Sequence, residues 1–396
     1  MSAAPSTRDI ISSVGSANGF TLKDFQIQAL ENFSEKFDGF VVAPTGSGKS
    51  LCYQLIPALL LAMDPTSAGT VLVISPLVWL MEDQIDTLNK RGTPATRLST
   101  WNGIESSSFL FARPEDLTWT AINKLQALWQ VKLLRCLVVD EAHCSLQWGD
   151  TFRQAYSQLK RKLGIFQGVP KMALTATASV TTVQRIISYL GLSPDTRVVF
   201  QPQGSPHIFL SVFPKSQRLA IVRSLFNELE SRGEKSPKTV VFLRNRNAVA
   251  DLWQFFRFYL ATSGLVQMYM STTPERVKRE VACDFKEAKS KTRLLIATSA
   301  FGLGVDCRGI TRVVHLDPPR AIDDYVQQIG RAGRDGQLAV AMLVAGTQSD
   351  CDKDVKDYMS LSSSDCRQKF LASLYVRNGS LPLHPCDPCC DLCKGK

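Results

Sequence analysis

The sequence predicts an α/β protein: two successive parallel sheets flanked by helices, then a small helical, cysteine-rich segment. Three observations predict it. Short apolar runs of strand type alternate with helix-type segments through both halves. A glycine-rich octapeptide, Ala43-Pro44-Thr45-Gly46-Ser47-Gly48-Lys49-Ser50, sits between one such run, Phe40-Val41-Val42, and helix formers from Leu51 to Met63. Five of the eleven cysteines (Cys366, Cys386, Cys389, Cys390, Cys393) fall in the last 31 residues.

A chain of 396 residues has length for two or three domains with buried cores. Its formal charge of +10 favours a polyanionic partner, nucleic acid above all, although a basic surface also serves solubility. Residues 1–20 lack the basic and apolar regions of a signal peptide. The most apolar run, Leu51 to Met63, is too short to span a bilayer and is interrupted by Gln54 and Pro57. The expectation is a soluble intracellular chain, not secreted, with no membrane partner. In a reducing compartment the clustered cysteines suggest metal rather than disulfides. The scattered ones (Cys52, Cys136, Cys144, Cys283, Cys307, Cys351) read as small buried hydrophobes.

Residues 1–19 are rich in Ser, Ala and Gly and are expected to form an N-terminal tail, loose at its very start. Gln26 lies 23 positions before Lys49. Its paired donor and acceptor suit an adenine edge, and an ordinary surface role is equally open. The octapeptide itself reads as a phosphate-binding loop. Glycines at 46 and 48 let several N–H groups turn toward one anion. Lys49 reaches the β- and γ-phosphates, and the Ser50 hydroxyl suits Mg²⁺. Strands follow at 70–75, 95–98, 109–112 and 133–139, and an amphipathic helix at 77–90. The last strand ends on Asp140-Glu141-Ala142-His143. Beside a phosphate loop, Asp140 suits the Mg²⁺ shell and Glu141 the activation of water. Capping of a helix is the plainer use of such acids. A further strand, 171–174, leads to Thr175-Ala176-Thr177 and a helix at 179–190. Those hydroxyls either couple two sites or cap that helix.

The Pro-, Gly- and Gln-containing stretch 201–206 reads as a linker. Strands are then expected at 208–213, 239–242, 267–270, 293–297, 312–316 and 339–344, with helices between most of them. Near the end of this half, Gln327-Gln328-Ile329-Gly330-Arg331-Ala332-Gly333-Arg334 places two arginines three apart, expected on one face of a short helix. A guanidinium brought to a γ-phosphate stabilises transition-state charge, with an effect of about 10³–10⁵ in rate. An exposed basic turn is the alternative.

Taken together, residues 43–53, Asp140-Glu141-Ala142-His143-Cys144, Ala173-Leu174-Thr175-Ala176-Thr177-Ala178 and 327–336 resemble the RecQ helicases of superfamily 2, in the family's order and from about Phe20 to Cys393. The resemblance implies two RecA-like lobes, 20–204 and 205–346, and a zinc-binding subdomain at 347–396. It implies ATP, Mg²⁺ and structural Zn²⁺ as cofactors, and single-stranded and partly duplex DNA as partner. The implied activity is 3′-to-5′ unwinding in repair and recombination, in the nucleus if the source is eukaryotic and otherwise in the cytoplasm or nucleoid. Onto this sequence it carries Lys23, Gln26, Thr45, Gly46, Ser47, Gly48, Lys49, Ser50, Asp140 and Gln327 as nucleotide and Mg²⁺ residues. Glu141 becomes the water activator, with Arg331 and Arg334 in the finger motif and Arg334 favoured as the finger. Gly302, Gly304 and Asp306 match the motif that links nucleotide to DNA. An aromatic-rich loop, 147–153, gives Trp148, Phe152 and Arg153 as DNA contacts, and Thr298 is a further one. Trp148, Phe152 and Tyr156 are also spaced as a core stripe. Zinc is assigned to Cys366, Cys386, Cys390 and Cys393, with Cys389 as alternate for Cys390 and His384 as a weaker substitute.

Several positions depart from the family. Lys23 stands where Arg is usual, Asp150 and Met270 where His is usual, and Ser205 where Arg is usual. The stretch between Ser99 and Phe109 is short and lacks a helix. The sequence stops at Lys396, whereas many RecQ proteins continue into a winged-helix domain. These departures lead to an expectation of weak unwinding. They keep two rivals open: an ATP- and nucleic-acid-binding or strand-annealing protein, and a superfamily 2 RNA helicase.

Overall fold

The computed structural model describes residues 5–44, 46–76, 78–102, 107–147, 156, 158–201, 207–260, 264–287, 290–302, 307, 309–333, 336–346, 350–375 and 389–393. The chain divides into two compact units, 1–202 and 203–396.

The first unit is built on strands β1 (Gly39–Val42), β2 (Thr70–Ile74), β3 (Ala95–Arg97), β4 (Phe109–Ala112), β5 (Leu134–Val139), β6 (Lys171–Thr175) and β7 (Arg197–Phe200). Their order is β3-β4-β2-β5-β6-β1-β7, and every pairing is parallel. The central strands are buried on both faces, so they read as continuous apolar runs. Helices α1 (Thr7–Ala17), α2 (Asp24–Ser34), α3 (Leu51–Gln54), α4 (Ile56–Met63), α5 (Val78–Lys90), α6 (Trp119–Gln130), α7 (Cys144–Gln147), α8 (Leu159–Leu163) and α9 (Val180–Leu190) complete it.

Three features differ from the sequence reading. Within the expected N-terminal tail, residues 7–17 form a helix. Ser6 and Asp9 form a reciprocal capping box, and Ile11 and Val14 enter the core beside α2 and α4. The helix expected over 51–63 breaks at Leu55. Pro57 has no N–H to give the Tyr53 carbonyl, so α4 restarts with Pro57 in its first turn. Strand β7 went unassigned: Arg197 and Phe200 lie in its half-exposed edge, so it lacks the apolar signature of the inner strands.

The second unit holds β8 (Ile208–Phe213), β9 (Thr239–Phe242), β10 (Val266–Tyr269), β11 (Leu294–Ala297), β12 (Arg312–His315) and β13 (Ala339–Val344), in the order β10-β11-β9-β12-β13-β8, again all parallel. With them go α10 (Arg218–Arg232), α11 (Arg246–Tyr259), α12 (Glu275–Lys286), α13 (Ile322–Ile329), α14 (Lys353–Met359) and α15 (Arg367–Ser373). β8 is an edge strand, a position that ordinarily invites unwanted pairing. Its edge meets the cysteine segment: the Leu210 N–H donates to the Cys389 carbonyl at 3.1 Å, and Leu210 forms a parallel bridge with Cys390. Asp391 accepts from the Val212 N–H at 3.0 Å, and the buried Arg367 holds both of its carboxylate oxygens. Among the scattered cysteines, Cys52, Cys136, Cys144, Cys307 and Cys351 are buried as expected, but Cys283 is exposed on α12. No helix among the described residues is long and apolar enough to cross a membrane.

Candidate active site

In an open parallel sheet, ligands collect beyond the carboxyl ends of the strands. Here backbone bonds draw three such ends together. The Ala43 N–H, past β1, donates to the Thr175 carbonyl of β6 at 3.1 Å; the Ala142 N–H, past β5, donates to the Leu174 carbonyl at 2.8 Å. The glycine loop, the acidic pair and the Thr175 hydroxyl therefore share one edge.

The loop turns as its glycines require, with φ of 79° at Gly46 and 88° at Gly48. Lys49 Nζ donates to the carbonyls of Ala43 (2.8 Å) and Pro44 (3.2 Å), which folds its ammonium back over the mouth of the loop. Gln26 is buried, not on the surface. Its Oε1 accepts the Lys23 N–H at 2.8 Å and its Nε2 donates to the Gly48 carbonyl at 2.9 Å. Lys23 Nζ donates to the Ser47 carbonyl at 3.1 Å. Both residues before the loop are thus tied to it. Ser50 stands immediately before the short α3, and its side chain makes no capping bond there.

Asp140 and Glu141 are both buried at the end of β5. Burial, reinforced by the neighbouring Glu141 charge and opposed by Lys49, raises the Asp140 carboxyl to about 7. A dication would remove that cost. Glu141 has a φ of 47°, unusual for a residue with a side chain, and functional positions are where such strain gathers. His143 is buried beside it. Thr175 Oγ1 donates to the Thr177 carbonyl at 3.1 Å, so it accepts from His143 Nδ1 at 2.8 Å, and that nitrogen carries the proton. Glu141 Oε2 lies 3.4 Å from the same nitrogen but without hydrogen-bond geometry. Ser47 Oγ and Glu141 Oε2 are buried with no hydrogen-bond partner among the described residues. Two orphaned oxygens beside a glycine loop and a carboxyl raised by burial fit a site for a phosphate chain and a divalent cation. Ser179, by contrast, accepts from the Thr182 N–H at 3.3 Å and caps α9, so that hydroxyl has the capping role.

Sequence reasoning missed two residues here. Tyr53 and Gln84 are both buried, and Tyr53 donates through its phenol to Gln84 Oε1. The signal was present: Gln84 occupies the apolar stripe of α5 between Met81 and Leu88, where a polar residue needs a reason.

In the second unit, α13 stops at Ile329, and Arg331 lies in the turn beyond Gly330 rather than on the short helix expected to carry it. Nor is Arg331 part of an exposed turn: it is 1% exposed, among the largest wholly buried side chains. Gln327 is buried too. Thr298 is buried at the end of β11, where its hydroxyl accepts from the Ala300 N–H at 3.4 Å. Met270 is buried against the second unit's core. Tyr156 is fully buried, as a core stripe requires. Thr45, Trp148, Asp150, Phe152, Arg153, Ser205, Gly304, Asp306, Arg334, His384 and Cys386 lie outside the described residues.

The thiols of Cys366, Cys389, Cys390 and Cys393 lie within 4.8 Å of one another. The separations are 3.5 Å for Cys366–Cys389, 3.4 Å for Cys390–Cys393 and 4.0 Å for Cys389–Cys393. Zinc bound to four thiolates at about 2.3 Å needs sulfur–sulfur edges of about 3.8 Å, so this set fits. Cys389, expected only as a spare, stands in the cluster.

Comparison with known proteins bears on the whole chain. The DEAD/DEAH box helicase domain matches residues 23–186, and the helicase conserved C-terminal domain matches residues 218–336. The ATP-dependent DNA helicase RecQ of Synechocystis sp. is 32% identical over 370 residues, which is 87% of this chain and 72% of that protein. This chain belongs to the RecQ helicase family. The RecQ helicase of Pasteurella multocida is 33% identical over 77% of this chain and 47% of its own length. The Schizosaccharomyces pombe ATP-dependent DNA helicase hus2/rqh1 is 31% identical over 94% of this chain and 30% of its own length. This RecQ-family chain therefore spans under half the length of those two relatives. Its fold matches the DNA-bound helicase MrfA (TM-score 0.65, 20% identity, 87% of this chain and 52% of that one) and S. cerevisiae Dbp5 bound to RNA and ADP BeF3 (TM-score 0.61, 16% identity, 91% of each). The two lobes are RecA-like α/β units.

Proposed function

We propose that this chain is a DNA-stimulated ATPase and 3′-to-5′ DNA helicase of repair and recombination, nuclear if the source is eukaryotic. The observation that supports it most is the single sheet edge carrying Lys49, Ser50, Asp140 and Glu141 in a RecQ-family chain. In this reading Lys49 and the loop N–H groups bind the phosphates of ATP, with Thr45 in the loop. Ser50 and Asp140 hold Mg²⁺, which neutralises charge on the transferring phosphate. Gln26 and Lys23 fix the loop and read the adenine edge. Glu141 orients and deprotonates water. Gln327 and Arg331 support the turn that carries Arg334, and Arg334 supplies the finger. Trp148, Phe152, Arg153 and Thr298 are the DNA residues, aromatic faces stacking bases at about 1–3 kcal/mol each. Zn²⁺, held by Cys366, Cys389, Cys390 and Cys393, serves structure by fixing the segment on the edge of β8.

The test is ATP hydrolysis with and without single-stranded DNA, and unwinding of a 3′-tailed duplex, for wild type, Lys49→Ala and Glu141→Gln. Both variants should lose hydrolysis and unwinding, and Glu141→Gln should still bind ATP. Unwinding that survives Lys49→Ala, or stronger stimulation by RNA than by DNA, overturns the proposal. DNA binding without DNA-stimulated hydrolysis in wild type leaves a binding or annealing protein instead.

A further inference from the structure

Helix α13 leads directly into the turn that holds Arg331, and its buried side is largely polar. Asp323, Tyr325, Gln327 and Gln328 are buried on it, with Ile322 and Ile329 as the aliphatic members. Apolar packing is non-directional, whereas hydrogen bonds fix direction. Three of these polar side chains bond outside the helix. Asp323 Oδ1 accepts from the Tyr375 phenol, just beyond α15, at 2.8 Å. The Tyr325 phenol shares a hydrogen bond of 3.2 Å with the Tyr358 phenol of α14, and their ring centroids are 5.2 Å apart. Gln328 Oε1 lies 2.7 Å from Nε2 of His315, the last residue of β12. Burial pushes that imidazole down to about 4, so it is neutral near pH 7, and a proton on Nε2 makes it the donor. All six side chains are buried. At about 100° per residue, Asp323 lies on the opposite side of the helix from Tyr325 and Gln328, so the three bonds oppose rolling as well as sliding. Past the helix, the Gly333 N–H donates to the Ile310 carbonyl at 2.9 Å, and a Cβ on Gly333 would lie 2.5 Å from His207 Cδ2. The arginine turn is thus held at both ends.

We propose that His315, Tyr358 and Tyr375 are positioning residues for the arginine turn, acting through α13, so that α14 and the turn after α15 belong to the ATP-hydrolysing machinery although they lie outside the second sheet. The inference rests on the reading of Arg334 as the finger. None of the three touches nucleotide. A finger acts on charge that develops in the transition state, so displacing it lowers kcat and leaves ground-state nucleotide binding at the phosphate loop unchanged. A misplacement of about 1 Å can cost about 10²-fold. Tyr358 is itself held from behind: its carbonyl accepts from Arg367 at 2.9 Å, and Arg367 holds Asp391 of the cysteine segment.

The test measures kcat and KM for ATP hydrolysis and the affinity for ADP with Mg²⁺ in the full chain. Variants are Tyr325→Phe with Tyr375→Phe, which keep both rings, and His315→Leu beside His315→Gln, which retains an N–H for Gln328. Each is made alone and in an Arg334→Ala background. The double Tyr→Phe variant and His315→Leu should lower kcat about 10-fold or more, with KM and ADP affinity within about 2-fold of wild type. His315→Gln should recover most of kcat. In Arg334→Ala the same changes should lower kcat no further, because the group they position is gone. Amides of α13 should exchange hydrogen faster in the variants while those of β9 keep the wild-type rate. A kcat within about 2-fold of wild type, or an equal fold-loss in the Arg334→Ala background, overturns the positioning role while the finger reading stands. Wild-type kcat in Arg334→Ala alone overturns the finger reading and the positioning role together.

Discussion

Gln26 Nε2 donates to the Gly48 carbonyl at 2.9 Å, and a Cβ on Gly48 would lie 2.8 Å from that same nitrogen. The residue that ties α2 to the phosphate loop thus occupies the space that any side chain at 48 would need. Gly48 also holds a φ of 88°.

Gly48→Ala should therefore lose twice: backbone strain of about 1–2 kcal/mol, and displacement of Gln26 from the loop. Nucleotide affinity should fall at least about 10-fold, read by calorimetric titration of ADP with Mg²⁺. Gly46 has a similar φ of 79° but open space around its Cβ position, so Gly46→Ala should carry the strain alone. Equal losses in the two variants would show that Gln26 is not held in place by this contact.

Asp140 should make the nucleotide-free protein less stable as pH rises. Its carboxyl is raised to about 7 by burial, then by Glu141, with Lys49 opposing. Below about pH 4 it is protonated folded or unfolded and contributes nothing. Between about 4 and 7 the unfolded chain releases a proton that the folded state keeps, so stability falls, and above 7 the full cost remains. Asp140→Asn lacks this cost. In EDTA at pH 8 the variant should melt above wild type, and the two should converge near pH 4. Mg²⁺ with ADP should narrow the gap by stabilising wild type. Identical melting at both pH values would remove the buried charge from the account.

Most of the architecture was legible because it rests on short-range signals. Runs such as Thr70–Ile74 and Thr239–Phe242 are buried on both faces and so are apolar throughout. The phosphate loop was legible because its chemistry dictates glycines and a lysine at fixed spacing. What escaped was set by tertiary partners. Helix α1 is stabilised by the hydrophobic surfaces of α2 and α4, which the composition of residues 1–19 does not reveal. Gln26 and Gln84 are polar residues whose burial depends on partners 22 and 31 positions away, Gly48 and Tyr53. Arg331 passes for an exposed turn among glycines until the fold closes around it.

Arg331→Ala should act through folding. Its side chain is 1% exposed, so truncation leaves a cavity and unpaired buried partners, a loss of about 3–5 kcal/mol. The second unit should melt at a clearly lower temperature, read by differential scanning calorimetry, and activity should fall with it. Arg334→Ala, if Arg334 is the finger, should lower kcat about 10³-fold without a comparable fall in melting temperature. A stable Arg331→Ala protein with low kcat would move the finger to Arg331.

Cys389 rather than Cys386 should decide zinc content. Three consecutive residues are anchored to β8: the Cys389 carbonyl accepts from Leu210, Cys390 bridges Leu210, and Asp391 accepts from Val212. That anchoring brings the thiols of both Cys389 and Cys390 to Cys366 and Cys393, which completes a four-sulfur set without Cys386. Cys389→Ser should therefore leave the purified protein with much less than one zinc per chain by elemental analysis, and Cys386→Ser should retain it. A second readout follows from the same bonds. If zinc fixes this segment, chelation should release the Leu210 and Val212 amides, and their hydrogen exchange should speed up while that of β9 is unchanged. Zinc retained in Cys389→Ser but lost in Cys386→Ser would restore the ligand set that the family resemblance implies. The segment on β8 would then be held by Arg367 and Asp391 rather than by metal.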